Sequence, residues 1–246
     1  MQLDFIGIVK QKQNPVQFDL WTDGKPTKVR AEINYSGVEE FFNSIDSDKI
    51  VSYKTYWERV KPQDCGEQFK RWLFAFMSVH TSWESNLNGY NAIKDWTEWF
   101  NKPEVLKEKL IQSKVGLYNN RTKFVDDFSK IYWQSPNLFI KKHDESWRIF
   151  RNRLVKHILG LGFAKVSFGL EMCYPNEAEV TCMDTHLFQF YGLDQSRDSR
   201  YYHEIERHWI EMCKMWNVPS YIARCIYWDK KQNKQDSRYW SYVLEN

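Results

Sequence analysis

The sequence predicts a mainly α-helical fold that follows a small antiparallel β element, and two observations support this fold class. The hydrophobic period changes from two to 3.6 near Ser36 and stays helical to the end of the chain. Aromatic residues make up 17% of the chain, whereas it has only 10 glycines and 7 prolines, a composition that suits helices with large side chains packed between them. We therefore expect a β element over residues 1–35 and a helical domain over residues 36–246.

The β element is predicted from alternating apolar and polar residues. The alternation covers residues 5–9, 16–21 and 29–33, and the sequence Asp23-Gly24-Lys25-Pro26 between the last two runs is typical of a hairpin turn. This pattern predicts a small antiparallel sheet or hairpin at the N-terminal end.

The helical domain is predicted from apolar residues at helical spacing, for example over residues 38–45 and 69–77. Polar segments that contain Pro103, Pro136, Pro175 and Pro219 divide it, because proline cannot continue a preceding helix. No internal repeat or linker indicates a second globular domain.

Composition excludes several classes of protein. Hydrophobic residues at 42% and charged residues at 27% exclude disordered and low-complexity chains. No apolar run approaches the roughly 18 residues of a membrane helix, and the first residues lack a secretory signal. We expect an intracellular monomer, in the cytoplasm or nucleoid, or in a host cytoplasm if the source is viral.

The cysteines and the net charge give little indication of ligands. Five cysteines without a CxxC pair read as reduced thiols, mostly in the core, and we expect neither a metal nor a cofactor. A net charge of +3 is too small to indicate nucleic-acid binding by itself.

The most informative stretch is residues 154–193. It predicts a helix, a tight turn over residues 159–162, a second helix from about Ala164 to Cys173, a polar loop, and a third helix that Asp184 opens. Glycines at positions 160 and 162 permit positive φ and expose backbone N–H groups at a helix start, where a phosphate can bind. Basic residues on the preceding helix, including Arg151 and Lys156, lie next to this turn.

Four motifs in order carry a resemblance to a known family. They are Met77-Ser78-Val79-His80-Thr81, the segment from Val115 to Lys123, the turn Ile158-Leu159-Gly160-Leu161-Gly162, and Met183-Asp184-Thr185-His186. Together they resemble the helix-hairpin-helix DNA glycosylase superfamily, in particular its endonuclease III and 8-oxoguanine glycosylase branches. The resemblance covers roughly residues 65–193 and implies a two-lobed helical fold that binds double-stranded DNA.

The resemblance implies excision of a damaged, mismatched or modified base that is flipped out of the duplex. It assigns Asp184 to stabilisation of the oxocarbenium-like transition state at the sugar and His80 to the gap that the flipped base leaves. It does not imply the iron–sulfur cluster of one branch, because the C-terminal part of the chain lacks the four cysteines. DNA contacts are expected from Gly160, Leu161, Gly162, Ala164, Arg151, Lys156 and His80, and the base pocket from Ser78, Trp83, Tyr221 and Trp228.

Lys165 is a candidate nucleophile with two possible alignments. Lyase members of the family carry a lysine two residues after the second glycine, where this chain has Ala164. A one-residue insertion would make Lys165 the amine that forms a Schiff base and permits strand cleavage. The ungapped alignment keeps Val166 and Phe168 on the core-facing side; we favour it, and it predicts that Asp184 activates water and leaves an intact abasic site.

Two other functions stay open at this point. The chain could be a non-catalytic DNA-binding protein that keeps the hairpin. Two departures from the family's pattern suggest this alternative: no lysine stands two residues after the second glycine, and the turn lacks the family's proline. It could also be an enzyme that modifies a base on the same scaffold. Asp184 favours the glycosylase over the pure DNA-binding protein, because such a protein does not need a carboxylate at the sugar.

Overall fold

The structure is a computed structural model that describes residues 31–233 and the backbone of residues 21–22 and 25–26. The chain divides into a short unit, Met1–Glu32, and a large unit, Ile33–Asn246; the sequence-based boundary lies three residues further along. In the short unit, strands β1 (Trp21–Thr22) and β2 (Lys25–Pro26) pair antiparallel, with Trp21 opposite Pro26. Lys25 and Pro26, which were predicted in the turn, form a strand, and residues 31–33, which were predicted in a strand, form none. The predicted strand residues 5–9, 16–20 and 29–30 lie outside the described residues and stay a prediction.

The described part of the large unit is helical, as predicted. Its helices are α1 (Tyr35–Asn43), α2 (Ser47–Arg59), α3 (Cys65–Met77), α4 (Trp83–Ile93), α5 (Pro103–Gln112), α6 (Tyr118–Gln134), α7 (Trp147–His157), α8 (Phe163–Cys173), α9 (Thr185–Phe190), α10 (Gln195–Asp198), α11 (Tyr202–Met215) and α12 (Ser220–Gln232). Short 3-10 helices cover Trp96–Glu98, Pro136–Phe139 and Ser199–Tyr201.

The four predicted proline boundaries are confirmed. Pro103 is the first residue of α5, where its missing N–H costs nothing. Pro136 follows the end of α6, Pro175 follows the end of α8, and Pro219 stands directly before α12. Local backbone chemistry therefore sets these helix ends.

Helices α3 and α8 form the centre of the core. From Phe69 onward α3 is buried except at Lys70, and α8 is buried from Val166 to its end. The two helices approach so closely that a Cβ at Gly169 would collide with the Trp72 ring. The glycine thus permits the contact that holds the two helices together.

Aromatic side chains fill the space between the helices, as the composition predicts. Phe69 of α3 stacks on Phe128 of α6, with ring centroids 5.6 Å apart, and also contacts Tyr132 at 5.0 Å. On the other side of the core, Trp209 of α11 contacts Phe42 at 5.0 Å. Core packing therefore accounts for many of the rings.

The helices pack in two groups that meet at α8. Helices α3 to α8 form the first group, and α1, α2, α11 and α12 form the second, with α12 against both α2 and α8. No helix between residues 31 and 233 is long and apolar enough to cross a membrane. Four cysteines are buried as expected, whereas Cys65 at the start of α3 is exposed.

Candidate active site

A cavity of about 680 Å³ opens where helices α4, α8, α9 and α12 converge. Its volume lies in the range of small-molecule sites. The cavity brings together residues that are far apart in the sequence, including most of the predicted site residues: Ser78, His80, Trp83, Gly160, Gly162, Ala164, Lys165, Asp184 and Trp228.

Asp184 is the N-cap of α9 and also lines this cavity. Its Oδ1 accepts hydrogen bonds from the backbone N–H groups of His186 and Leu187 at 2.9 and 3.0 Å. Its Oδ2 has no hydrogen-bond partner among the described residues. One oxygen thus fixes the carboxylate at a helix start, and the other remains available to a ligand.

The segment before Asp184 is held by a buried ion pair. Glu206 of α11 pairs with Arg151 of α7 and accepts the N–H of Thr181 at 3.1 Å. The hydroxyl of Tyr202 donates to the Thr181 carbonyl at 2.7 Å. Hydrogen bonds therefore fix both the N–H and the carbonyl group of Thr181, three residues before Asp184.

A second buried ion pair fixes the next residue. Glu171 of α8 pairs with Arg224 of α12 at 2.8 Å and accepts the N–H of Cys182 at 3.3 Å. Burial raises the pKa of Glu171 to about 7, and the Arg224 guanidinium opposes that rise. Burial also raises the pKa of the Cys182 thiol to about 12, so this cavity residue is a neutral thiol at pH 7.

Lys165 and Ala164 both line the cavity at the start of α8. The Lys165 ammonium lies 5.6 Å from the Phe168 ring centroid and acts electrostatically on Cys182, as Asp184 does. Val166 and Phe168 are buried, as the ungapped alignment expects. Burial of Val166 and Phe168 is therefore compatible with a lysine amine at the cavity. It does not decide between the ungapped alignment and the alignment with a one-residue insertion.

The hairpin turn exposes backbone N–H groups, but its two glycines differ. Gly160 has φ +86°, and a Cβ there would collide with the Phe124 ring. Gly162 has φ −87° and open space around its Cα, so the expectation of positive φ is wrong for Gly162. The N–H groups of both glycines have no hydrogen-bond partner in the described part of the chain. Leu161 buries its side chain between them.

The structure corrects the predicted role of Arg151. Its side chain is fully buried, paired with Glu206 and placed 5.1 Å from the Phe163 ring centroid, so it cannot contact a phosphate. Arg153 also points inward, to Glu145 and to the carbonyls of residues 138 and 140. Lys156 on the same helix is exposed. The basic surface beside the hairpin is thus smaller than the sequence indicates.

Arg121 explains why two of the sequence motifs meet. Its guanidinium donates to the carbonyls of Phe76 at 2.6 Å, Val79 at 2.7 Å and Gly116 at 3.0 Å. These bonds hold the end of α3 and the loop that carries His80, whose φ is +48° and whose side chain is exposed at the cavity. The sequence analysis assigned no role to Arg121.

Three of the four residues predicted for the base pocket line the cavity. Ser78 and Trp83 line the cavity from α3 and α4, and Trp228 lines it from α12. Tyr221 does not, because it is fully buried between Trp57 and Arg224.

Several cavity residues were missed by the sequence analysis: Phe74, Asn86, Phe168, Cys182, His186, Gln195, Arg224 and Gln232. The sequence does contain an indication for Asn86, because this polar residue shares one face of α4 with Trp83, Tyr90 and Ile93. Arg224 stands among buried residues of α12. Between residues 31 and 233, no group of three or more His, Cys, Asp or Glu could hold a metal ion.

Comparisons with known proteins agree with this geometry. No protein-family model and no curated protein sequence matches the chain. The structure is similar to the 8-oxoguanine DNA glycosylase of Methanocaldococcus jannaschii, with a TM-score of 0.62 and 20% identity over 81% of this chain and 94% of that one. It is also similar to the 8-oxoguanine DNA glycosylase of Thermotoga maritima, with a TM-score of 0.64 and 16% identity over 83% of this chain and 100% of that one. The chain therefore has the fold of these two 8-oxoguanine DNA glycosylases, which is the fold that its four motifs predict.

Proposed function

We propose that the protein is a DNA glycosylase that flips a damaged, mismatched or modified base into the cavity and breaks its N-glycosidic bond. One observation carries the proposal: Asp184, Lys165 and the unbonded N–H groups of the hairpin converge on one cavity. Base excision from a duplex uses a carboxylate at the sugar and a phosphate-binding turn, and an amine can serve as its nucleophile.

Asp184 acts at the sugar. As the base leaves, positive charge develops on the deoxyribose, and a fixed carboxylate stabilises that charge. The cap hydrogen bonds to Oδ1 orient the group before the substrate arrives, so little reorganisation is needed during the reaction. The same side chain thus serves as helix cap and as catalyst.

Lys165 is the nucleophile in the mechanism that we propose. This mechanism replaces the attack by water, activated by Asp184, that the ungapped alignment favours. The reason is its position on the wall of the same cavity as Asp184. Its neutral amine attacks C1′, and the base departs with the electrons of the C1′–N bond and takes up a proton. The C1′–O4′ bond then breaks, the ring oxygen takes up the proton lost from the amine, and the resulting imine permits β-elimination. Activation of water by Asp184 remains the alternative.

DNA is held by the hairpin and by Lys156. Exposed N–H groups at the start of α8 bind a backbone phosphate, which the positive end of the helix favours. Lys156 adds a contact that is sensitive to salt. His80 projects from its fixed loop toward the space that the flipped base vacates.

The test uses duplexes that each carry one modified base. Released base is measured by mass spectrometry, strand breaks are measured with and without alkali, and borohydride is added to trap an imine. We expect base release and a trapped adduct that disappears in Lys165→Gln but persists in Lys107→Gln, a matched lysine on the exposed side of α5 and outside the cavity. Base release without an adduct would assign the water reaction, and duplex binding without any change to a base would indicate a binding protein. A base that is altered but not released would indicate a modifying enzyme.

A further inference from the structure

Asn86 is an unusual residue at its position in the fold. It lies in the interior of α4, its side chain is 4% exposed, and it lines the cavity. Its Oδ1 has no hydrogen-bond partner among the described residues. Burying a polar atom without a partner destabilises the fold, and asparagine is also a weak helix former. A ligand that bonds this atom would explain why the cost is tolerated.

Two other residues of the cavity wall also carry buried polar atoms without a partner among the described residues. The indole Nε1 of Trp228 and the Nδ1 of His186 are buried without a hydrogen-bond partner in the described part of the chain. The two rings meet edge to face, with centroids 4.6 Å apart. An indole N–H can only donate, so a ligand at Trp228 must present an acceptor.

The charges of the cavity wall bear on the charge of the ligand. Lys165 and Arg224 carry positive charge on the wall, and Asp184 carries negative charge. Arg224 is compensated by buried Glu171 behind it. The wall thus offers no excess of negative charge to a cationic ligand.

We infer that Asn86, Trp228 and His186 form a base-selecting edge that takes a neutral nucleobase offering both a hydrogen-bond acceptor and a donor. The indole N–H of Trp228 donates to the base, and Asn86 Oδ1 accepts from it. Positively charged alkylated purines are disfavoured, because the wall offers no excess of negative charge to replace the water that such a cation loses. This inference rests on the proposed function and narrows its substrate class.

The experiment measures base binding without requiring catalysis. Saturation-transfer NMR is recorded for the wild-type protein mixed with a duplex that contains a tetrahydrofuran abasic site. The probes are 1-methyluracil and 9-methylguanine, whose methyl groups occupy the glycosidic position, and 7,9-dimethylguaninium as the matched cation. We expect transfer to at least one neutral probe and at least fivefold weaker transfer to the cation.

Variants in α4 separate recognition from folding. Asn86→Leu keeps a similar volume and removes the unpartnered atom, so we expect an unchanged or higher Tm together with loss of transfer to the neutral probe. Asn88→Leu, on the exposed side of the same helix, should keep the transfer. Trp228→Phe keeps the ring but removes the donor, and it should weaken binding of the same probe.

The inference is overturned if neither neutral probe binds, if the cation binds as well as the neutral probes, or if Asn86→Leu binds like the wild type. These outcomes differ from failure of the proposed function. If the protein binds the neutral probe through Asn86 but releases no base from any duplex, the inference about base binding stands and the proposed glycosylase activity is refuted.

Discussion

The two hairpin glycines give the sharpest test of the site, because alanine should act differently at each. At Gly160, φ of +86° costs an alanine about 1–2 kcal/mol. The collision of its Cβ with the Phe124 ring adds about 1–3 kcal/mol of overpacking. Since 1 kcal/mol shifts the Tm of a chain of this size by about 2–4 °C, we expect Gly160→Ala to lower the Tm by at least about 4 °C.

At Gly162 the same substitution should leave the fold unchanged. Its φ of −87° and ψ of −176° suit alanine, and nothing lies within 4 Å of the new Cβ. Alanine is a poorer N-cap than glycine by about 0.5 kcal/mol, but it also reduces the entropy of the unfolded chain by a similar amount. We therefore expect a Tm within about 2 °C of the wild type.

DNA binding should respond to Gly162→Ala even though the fold does not. The methyl group stands where a phosphate would approach the N–H groups, and a hydrogen bond to a charged group contributes about 1.5–3 kcal/mol. We expect the Kd for an undamaged duplex, measured by fluorescence anisotropy, to rise about tenfold or more. A Gly162→Ala protein with wild-type Tm and wild-type Kd would refute phosphate binding by the hairpin, and Gly160→Ala with a wild-type Tm would refute the strain argument.

Asp184→Asn should slow base release about 100-fold or more with a Kd within a few-fold, because asparagine caps α9 equally well but lacks the charge; an unchanged rate would leave Asp184 as a cap only. Lys156→Ala should weaken duplex binding and reduce the salt slope by about 1, measured by anisotropy at several salt concentrations. Arg151→Met should lower the unfolding free energy by about 3–5 kcal/mol, because it leaves its buried carboxylate partner unpaired, yet the folded protein should bind DNA as the wild type does. Burial lowers the pKa of His208 from 6.5 to about 4 in the folded protein. As the pH falls below 6.5, the unfolded chain therefore binds a proton at this histidine that the folded protein does not bind. The contribution of neutral His208 to the free energy of unfolding is therefore fully present above pH 6.5, and about 2 kcal/mol of that contribution is lost by pH 5. Urea unfolding should show a smaller loss in His208→Gln but not in His203→Gln, an exposed histidine on the same helix.

Local chemistry was readable from the sequence alone. Proline positions set four helix ends, and Asp184 was predicted to open a helix that it indeed caps. These features depend on residues within one or two turns of each other, because a cap or a proline acts on its own backbone. The order of the four motifs likewise indicated the fold that the structural comparisons show.

Only the tertiary structure decided which side chains reach the cavity. Arg151 and Lys156 lie five residues apart on one basic helix, yet one is fully buried and the other exposed. Lys165 lies at the cavity and Tyr221 does not. Asn86 joins the site because α4 shares the cavity wall with α8, α9 and α12, which lie far away in the chain. The physical reason is that a period of 3.6 fixes which residues share a helix face, whereas burial of that face depends on helices far away in the chain.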